Sequence, residues 1–234
     1  MESMQTSGSR QAVRSVATGF MQQVYLWMCA GLLITAASAY LTASVPQLIA
    51  FIFGNSFGMI VLCVAVILMP MAVSAAAYKL SPAIASCCFV VYSMLVGALF
   101  SSLLLIYTGE SLVGTFAITA GMFGVMSAYG MLTRRDLTGM KDFMVMGLIG
   151  LLIAMIVNLF LQNSMMQFCI SAIAVIVFAG LTAYDTQRLI QLSQGVPAHD
   201  GTIVRCGALL CALTLYLDFI NIFIHMVQLF GERR

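Results

Sequence analysis

Long runs of apolar residues, separated by short polar segments, make up most of the chain. Seven runs are long enough to cross the hydrocarbon core of a bilayer, which takes roughly 17–25 residues in a helix. They cover residues 24–43, 57–77, 83–106, 112–132, 143–161, 168–184 and 206–229. The first six contain no Asp, Glu, Lys or Arg. Strands of a membrane barrel would instead alternate apolar and polar residues over short stretches. The pattern therefore predicts an all-α polytopic membrane helix bundle.

The composition supports the same conclusion. Of 234 residues, 62% are hydrophobic and 8% are charged, with a mean hydropathy of +1.05, whereas a soluble domain carries roughly 25% charged residues. The net charge of +2 and the lack of a basic cluster indicate no nucleic-acid partner, so the lipid bilayer is the expected partner. Seven cysteines without CxxC spacing predict neither a disulfide framework nor a zinc site, and we expect no cofactor.

The connections between the runs are short, which predicts one transmembrane domain, 24–234, after a polar cytoplasmic tail, 1–23. Basic residues mark the cytoplasmic side of a membrane protein. With the amino terminus in the cytoplasm, eight of them fall inside: Arg10, Arg14, Lys79, Arg134, Arg135, Lys141, Arg188 and Arg205. Seven crossings leave Arg233 and Arg234 outside, whereas a re-entrant last segment would keep them inside. Because the last run is long enough to span, we favour seven crossings.

Small residues recur on two of the predicted helices. Such residues let helix backbones approach closely inside a bilayer. The third run carries Ser93, Gly97 and Ser101, and the fourth carries Ala117, Gly121, Gly124 and Gly130. We expect both sets to pack against other helices of the bundle.

The last run differs from the others because it contains an acidic residue, Asp218. Thr214, Asn221 and His225 share its helix face at intervals of three, four and seven residues, and Gln228 continues the line. A charge at the bilayer centre costs at least ~2.5–3.5 kcal/mol. One interpretation of Asp218 is that it only forms a structural hydrogen bond to a neighbouring helix. A functional site in a polar cavity is favoured, because a neutral Asn would bond helices at lower cost.

Asp185, which directly follows the sixth run and ends its helix at the expected cytoplasmic boundary, is the natural partner of Asp218. Two carboxyl groups within a few ångströms share a proton, since the first negative charge opposes the second ionisation. Such a pair can titrate near neutral pH and can attract a hard cation such as Ca²⁺, so Asp185 and Asp218 are also candidate transient metal ligands. Counting residues places Asp218 deeper than Asp185, so contact requires the last helix to begin well outside the bilayer.

An intramembrane aspartyl protease is a distant alternative. These enzymes also place a Tyr-Asp pair on one helix, as Tyr184 and Asp185 do here. Their second aspartate, however, lies in Gly-x-Gly-Asp and precedes a Pro-Ala-Leu helix, and neither motif occurs in this chain. Phosphate-binding loops and the HExxH motif are also absent. We therefore expect a protein that is not an enzyme.

Two stretches resemble the transmembrane Bax inhibitor motif family: residues 183–187 (Ala-Tyr-Asp-Thr-Gln) and 213–221 (Leu-Thr-Leu-Tyr-Leu-Asp-Phe-Ile-Asn). The resemblance implies six helices around a central C-terminal seventh, in a bacterial inner membrane. It also implies that Asp185 and Asp218 form a di-aspartyl sensor that gates a pH-dependent Ca²⁺ leak, with protons and Ca²⁺ as partners.

The chain departs from the family in two respects. Some members carry a basic residue on the second helix as a latch on the aspartates, and residues 57–77 contain none. The loop between the aspartates is longer than in the shortest bacterial members.

Some bacterial members resemble regulators that restrain a membrane-bound ATP-dependent protease, which is the alternative function. In that case the lipid-facing surfaces and the amino-terminal tail with Arg10 and Arg14 would bind the protease.

Overall fold

The computed structural model describes the backbone of residues 2–79, 81–195 and 201–234, with the side chains of 18–78, 81–193 and 201–234. This part of the chain forms eight helices: α1 (Glu2–Ser44), α2 (Pro46–Phe53), α3 (Ser56–Lys79), α4 (Pro82–Ile106), α5 (Gly109–Leu132), α6 (Thr138–Leu161), α7 (Ser164–Gly195) and α8 (Gly201–Phe230). The prediction of an all-α protein is confirmed. The side chains of Arg10, Arg14 and Lys79, used above for orientation, lie outside the described residues.

Seven of these helices are long and apolar enough to cross a membrane, as predicted. The candidate spans among the described residues are Thr18–Ser44, Ser56–Tyr78, Pro82–Ile106, Gly109–Leu132, Thr138–Leu161, Ser164–Ser193 and Gly201–Phe230. The extra helix, α2, was not predicted and has no buried residue. Pro46 stands in its first turn, where a missing N–H costs no hydrogen bond, and this explains its start.

The last two spans are longer than the sequence indicates. We expected the sixth run to end at Tyr184, but α7 continues to Gly195, and α8 begins at Gly201 and not at Cys206. The polar residues after Tyr184 suggested a boundary. Gln and Arg are nevertheless good helix formers, and the following Leu189 is buried, so the helix continues. At 1.5 Å per residue, α7 is about 48 Å long, which exceeds the ~30 Å hydrocarbon core.

The chain divides into two compact units. The first consists of the residues up to Leu105 together with Leu189–Thr214. In it, α1 packs against α4 through small residues: the Thr35 hydroxyl donates to the Ser93 carbonyl (3.1 Å), and the backbone of Thr35 leaves no room for a Cβ at Gly97. The predicted small-residue face of the third run is therefore confirmed at Ser93 and Gly97.

The second unit consists of Ile106–Arg188 together with Leu215–Arg234, and it contains α5, α6 and parts of α7 and α8. Helices α7 and α8 run antiparallel in it, since Gln167 near the start of α7 bonds Gln228 near the end of α8 (2.8 Å). Helix α5 lies close to α7, where the Ala183 carbonyl leaves no room for a Cβ at Gly130. Phe219 of α8 packs on aromatic rings of α5.

The expected packing of the other glycines of α5 is wrong. A Cβ added at Gly121 or Gly124 would meet nothing within 4 Å. The reason is helical phase: the buried residues of α5 follow the line Thr115, Thr119, Phe123, Ser127, Gly130. The small residues Gly114, Ala117, Gly121 and Gly124 are exposed on another face. Only Gly130 lies where another helix approaches.

The carboxyl-terminal residues lie beside the connection between α4 and α5. The Thr108 N–H donates to the Glu232 carbonyl (3.0 Å), and the Arg234 N–H donates to the Ile106 carbonyl (3.0 Å). Helices α5, α6 and α7 are candidate spans between that connection and α8. Three crossings lead to the opposite side, so α8 must itself cross to bring its end back. This geometry agrees with seven crossings and not with a re-entrant last segment.

Candidate functional site: a carboxyl pair on two antiparallel helices

The carboxyl groups of Asp185 on α7 and Asp218 on α8 lie within hydrogen-bonding reach of each other. Asp218 is buried, with 5% of its surface exposed, and Asp185 is half-buried. A carboxylate can only accept hydrogen bonds, so a bond between two carboxyl groups requires a proton on one of them. The structure thus brings together the two aspartates that the sequence pairs, close enough for one proton to be shared between them.

The expected condition for this contact was that the last helix should begin well outside the bilayer. Helix α8 starts at Gly201, before the apolar run that begins at Cys206. Asp185 does not end a helix as expected, since ten residues of α7 follow it up to Gly195. Both carboxyl groups therefore project from continuous helix, where the backbone fixes their direction.

The two aspartates differ in their surroundings. Asp185 is subject to the positive charges of Arg188, one turn further along α7, and of Lys141 in the first turns of α6. Both cationic side chains are exposed. The second oxygen of Asp218, Oδ2, is buried without a hydrogen-bond partner. A buried acceptor without a donor is costly, so this oxygen is available to a proton or a cation.

Thr214 and Asn221, predicted to support the pair, are half-buried and bond to their own helix. The Thr214 hydroxyl donates to the Leu210 carbonyl (3.2 Å), and the Asn221 amide donates to the Leu217 carbonyl (2.8 Å). Side chains of this kind commonly bond a carbonyl one turn back in a helix. These two bonds are local to α8, and the supporting role of Thr214 and Asn221 beside the carboxyl pair stays a prediction.

His225 belongs to a second polar cluster. It is buried, its Nδ1 lies 3.5 Å from the Ser171 hydroxyl, and its ring stacks on Phe178 at 6.4 Å between centroids. Ser171 in turn bonds Gln228 at 2.7 Å. Seven residues, or about 10 Å of helix, separate His225 from Asp218. The structure therefore places His225 away from the carboxyl pair.

Three members of this cluster were missed in the sequence: Ser171 and the amides Asn158 and Gln167. The Asn158 amide donates to Gln167 (2.9 Å), whose own amide donates to Gln228 (2.8 Å). These amides lie at the end of α6 and the start of α7. Amide side chains at the ends of apolar runs are a recognisable sign of hydrogen bonding between membrane helices, and that sign could have identified them.

Comparison with known proteins gives the family. Residues 17–234 match the family model described as inhibitor of apoptosis-promoting Bax1. The chain belongs to the Bax inhibitor-1-like family. The inner membrane protein YbhL of Escherichia coli (strain K12) is 42% identical over 215 residues, which cover 92% of each chain. An uncharacterized protein of Borreliella burgdorferi is 40% identical over the same length and coverage. The uncharacterized protein YrjE of Lactococcus lactis is 33% identical over 214 residues, 91% of this chain and 90% of the relative.

Membership in the Bax inhibitor-1-like family confirms the resemblance drawn from residues 183–187 and 213–221. The match runs over nearly the whole chain and includes all seven candidate spans. The protein is therefore an integral membrane protein of this family.

Within the described residues, no group of three or more His, Cys, Asp or Glu side chains is close enough to hold a metal ion. The assignment of Asp185 and Asp218 as transient metal ligands stays a prediction.

Proposed function

We propose that the protein is a membrane-embedded, pH-sensitive calcium leak channel in which Asp185 and Asp218 form the gate. The observation that carries this proposal is the close approach of the two carboxyl groups, which belong to two helices inside candidate membrane spans. Intramembrane carboxyl groups are rare and mark ion and proton pathways. Family membership supports the proposal at the level of the fold.

The chemistry of the pair couples proton binding to helix separation. With one proton shared, the bond draws α7 and α8 together at this depth. When that proton is lost, two negative charges are left in contact, and their repulsion is strong where little water screens it. The pair must then move apart or bind a cation. Either response changes the distance between the two helices.

Access to the pair comes through Asp185, which is half-buried while Asp218 is 5% exposed. Arg134 and Arg135 lie in the connection between α5 and α6, and Lys141 lies at the start of α6. By the positive-inside rule, we place this connection and the amino terminus in the cytoplasm. YbhL is an inner membrane protein, and we propose the same location for this chain.

Reconstitution tests the proposal. Purified protein in liposomes that hold a fluorescent calcium indicator should pass Ca²⁺ faster than protein-free liposomes, with one transition in rate over the pH range. Asp218→Asn should abolish the transition, because asparagine has nearly the same shape and does not ionise.

A matched control is Asp136→Asn. Asp136 is exposed in the connection between α5 and α6, and hydrogen bonds from Thr138 hold its pKa below the ordinary value. It stays ionised where the pair titrates, so this variant should keep the wild-type transition. Calcium entry at the rate seen in protein-free liposomes would overturn the proposed channel activity. A transition that persists in Asp218→Asn would overturn the role of the pair.

A second candidate function is regulation of a membrane-bound ATP-dependent protease. It is favoured by the exposed face of α5 that carries Gly114, Ala117, Gly121 and Gly124, where no other part of the described chain approaches the glycines. Small residues on a membrane helix allow close approach of another helix. Recovery of a membrane protease with the protein, with lower activity when the protein is bound and no Ca²⁺ flux from the protein alone, would favour this candidate over the leak.

A further inference from the structure

The turn of α7 that carries Asp185 is attached to α5 on one side. Thr186 bonds Ser127 through their hydroxyl groups (2.9 Å), and both residues are buried. Ala183 lies against Gly130, where its carbonyl occupies the space that a Cβ would need. The residues on either side of Asp185 are thus held by α5.

The same turn also holds the connection between α5 and α6, through Gln187. The side-chain carbonyl of Gln187 accepts from the Leu137 N–H (2.9 Å), and its amide donates to the Arg135 carbonyl (2.8 Å). Leu137 precedes the first turn of α6 and makes no side-chain capping bond. Gln187 therefore satisfies a backbone donor at the start of α6, where helices leave N–H groups without partners.

Apolar packing strengthens this attachment. The buried side chain of Leu137 packs against Ala183 and Tyr184, and Met126 and Met140 pack against the same cluster. The connection between α5 and α6 thus contacts α7 both before and after Asp185 in the sequence, by apolar and by polar contacts.

We propose that Gln187 is a positioning residue for the carboxyl pair: its two hydrogen bonds hold the Asp185 turn of α7 against the α5–α6 connection, with Asp185 directed at α8. The role in gating rests on the proposed function, whereas the positioning itself does not.

The groups that act on Asp185 electrostatically are Asp218 of α8, Arg188 of α7 and Lys141 of α6. The contacts that α5 makes with this turn come from Ser127 and Gly130, which do not titrate. Gln187 is neutral at every pH. Replacing it with leucine removes two hydrogen bonds and changes no charge, so any effect on the ionisation of the pair arises from position.

Infrared spectroscopy measures that ionisation without any transport. The C=O stretch of the protonated pair is obtained as the difference between the wild type and Asp218→Asn, which separates it from the other carboxyl groups, and it is followed over pH. In Gln187→Leu the midpoint should move to more acidic pH by about 0.5–1 unit, which corresponds to about 0.7–1.4 kcal/mol of lost preference for the protonated pair. The direction follows because a loosely held Asp185 shares its proton with Asp218 less tightly.

The chain offers a matched control, Gln167→Leu. Gln167 also lies on α7 and also makes two side-chain hydrogen bonds, to Asn158 and Gln228. It is twenty residues, or about 30 Å of helix, from Gln187. This variant should keep the wild-type midpoint. Leu137→Ala loosens the apolar part of the same attachment and should shift the midpoint in the same direction as Gln187→Leu, which gives a second test if the first variant does not fold.

A wild-type midpoint in both Gln187→Leu and Leu137→Ala would overturn the positioning role. An equal shift in Gln167→Leu would also overturn it, because any loosening of α7 would then have the same effect. The two proposals fail on different measurements. If the protein passes no Ca²⁺ but its ionisation midpoint still shifts in Gln187→Leu, the proposed function is overturned and the positioning role of Gln187 stands.

Discussion

At the scale of single residues, the burial of Asp218 carries an energetic cost. Asp218 is 5% exposed in an apolar helix, and its Oδ2 has no hydrogen-bond partner. A side chain used only to join two helices would have partners for all its polar atoms. Asn158 donates to Gln167 and accepts from the Asn163 N–H, and Gln167 in turn donates to Gln228. The unpartnered Oδ2 of Asp218 therefore favours a functional role for this residue over a purely structural one.

Gly130 gives a prediction at the same scale. Gly130→Ala places a methyl group where the Ala183 carbonyl lies, so α5 and α7 must move apart. Overpacking of this kind costs roughly 1–3 kcal/mol, and the apparent unfolding temperature in detergent should fall. Gly121→Ala is the control, since a Cβ there meets nothing within 4 Å. Equal unfolding temperatures for the two variants would contradict the observed contact.

At the scale of helices, the apolar pattern predicted the seven spans because each run is both long and nearly free of charge. It could not predict the ends of α7 and α8. Residues 185–188 are polar, yet they continue a helix whose next residue, Leu189, is buried. Helical spacing placed Thr214, Asp218, Asn221 and His225 on one face correctly. It could not show that Thr214 and Asn221 bond their own backbone, because that choice depends on neighbouring helices.

The contacts around Asp185 could also be predicted only in part from the sequence. The motif at residues 183–187 was recognisable in the sequence, and the contact of Asp185 with Asp218 followed from two acidic residues in apolar surroundings. The partners of Thr186 and Gln187 are 50 to 59 residues away, on α5 and its connection to α6. Nothing in the local pattern identifies such partners, since serine and backbone groups occur throughout the chain.

At the scale of the whole chain, topology can be tested directly. The end of α8 lies beside the connection between α4 and α5, and the basic connection between α5 and α6 should be cytoplasmic. We therefore predict that alkaline phosphatase fused after Arg234 is active in bacterial cells and that green fluorescent protein fused there is dark. The opposite pair of results would place the carboxyl end in the cytoplasm and contradict the orientation.

The central claim is that the shared proton of Asp185 and Asp218 controls the passage of calcium. The most direct test measures two pH midpoints on the same reconstituted sample: ionisation of the pair by infrared spectroscopy, and Ca²⁺ flux. We predict that the midpoints coincide in the wild type and move together in Gln187→Leu. A flux midpoint that stays in place while the ionisation midpoint moves would contradict the claim.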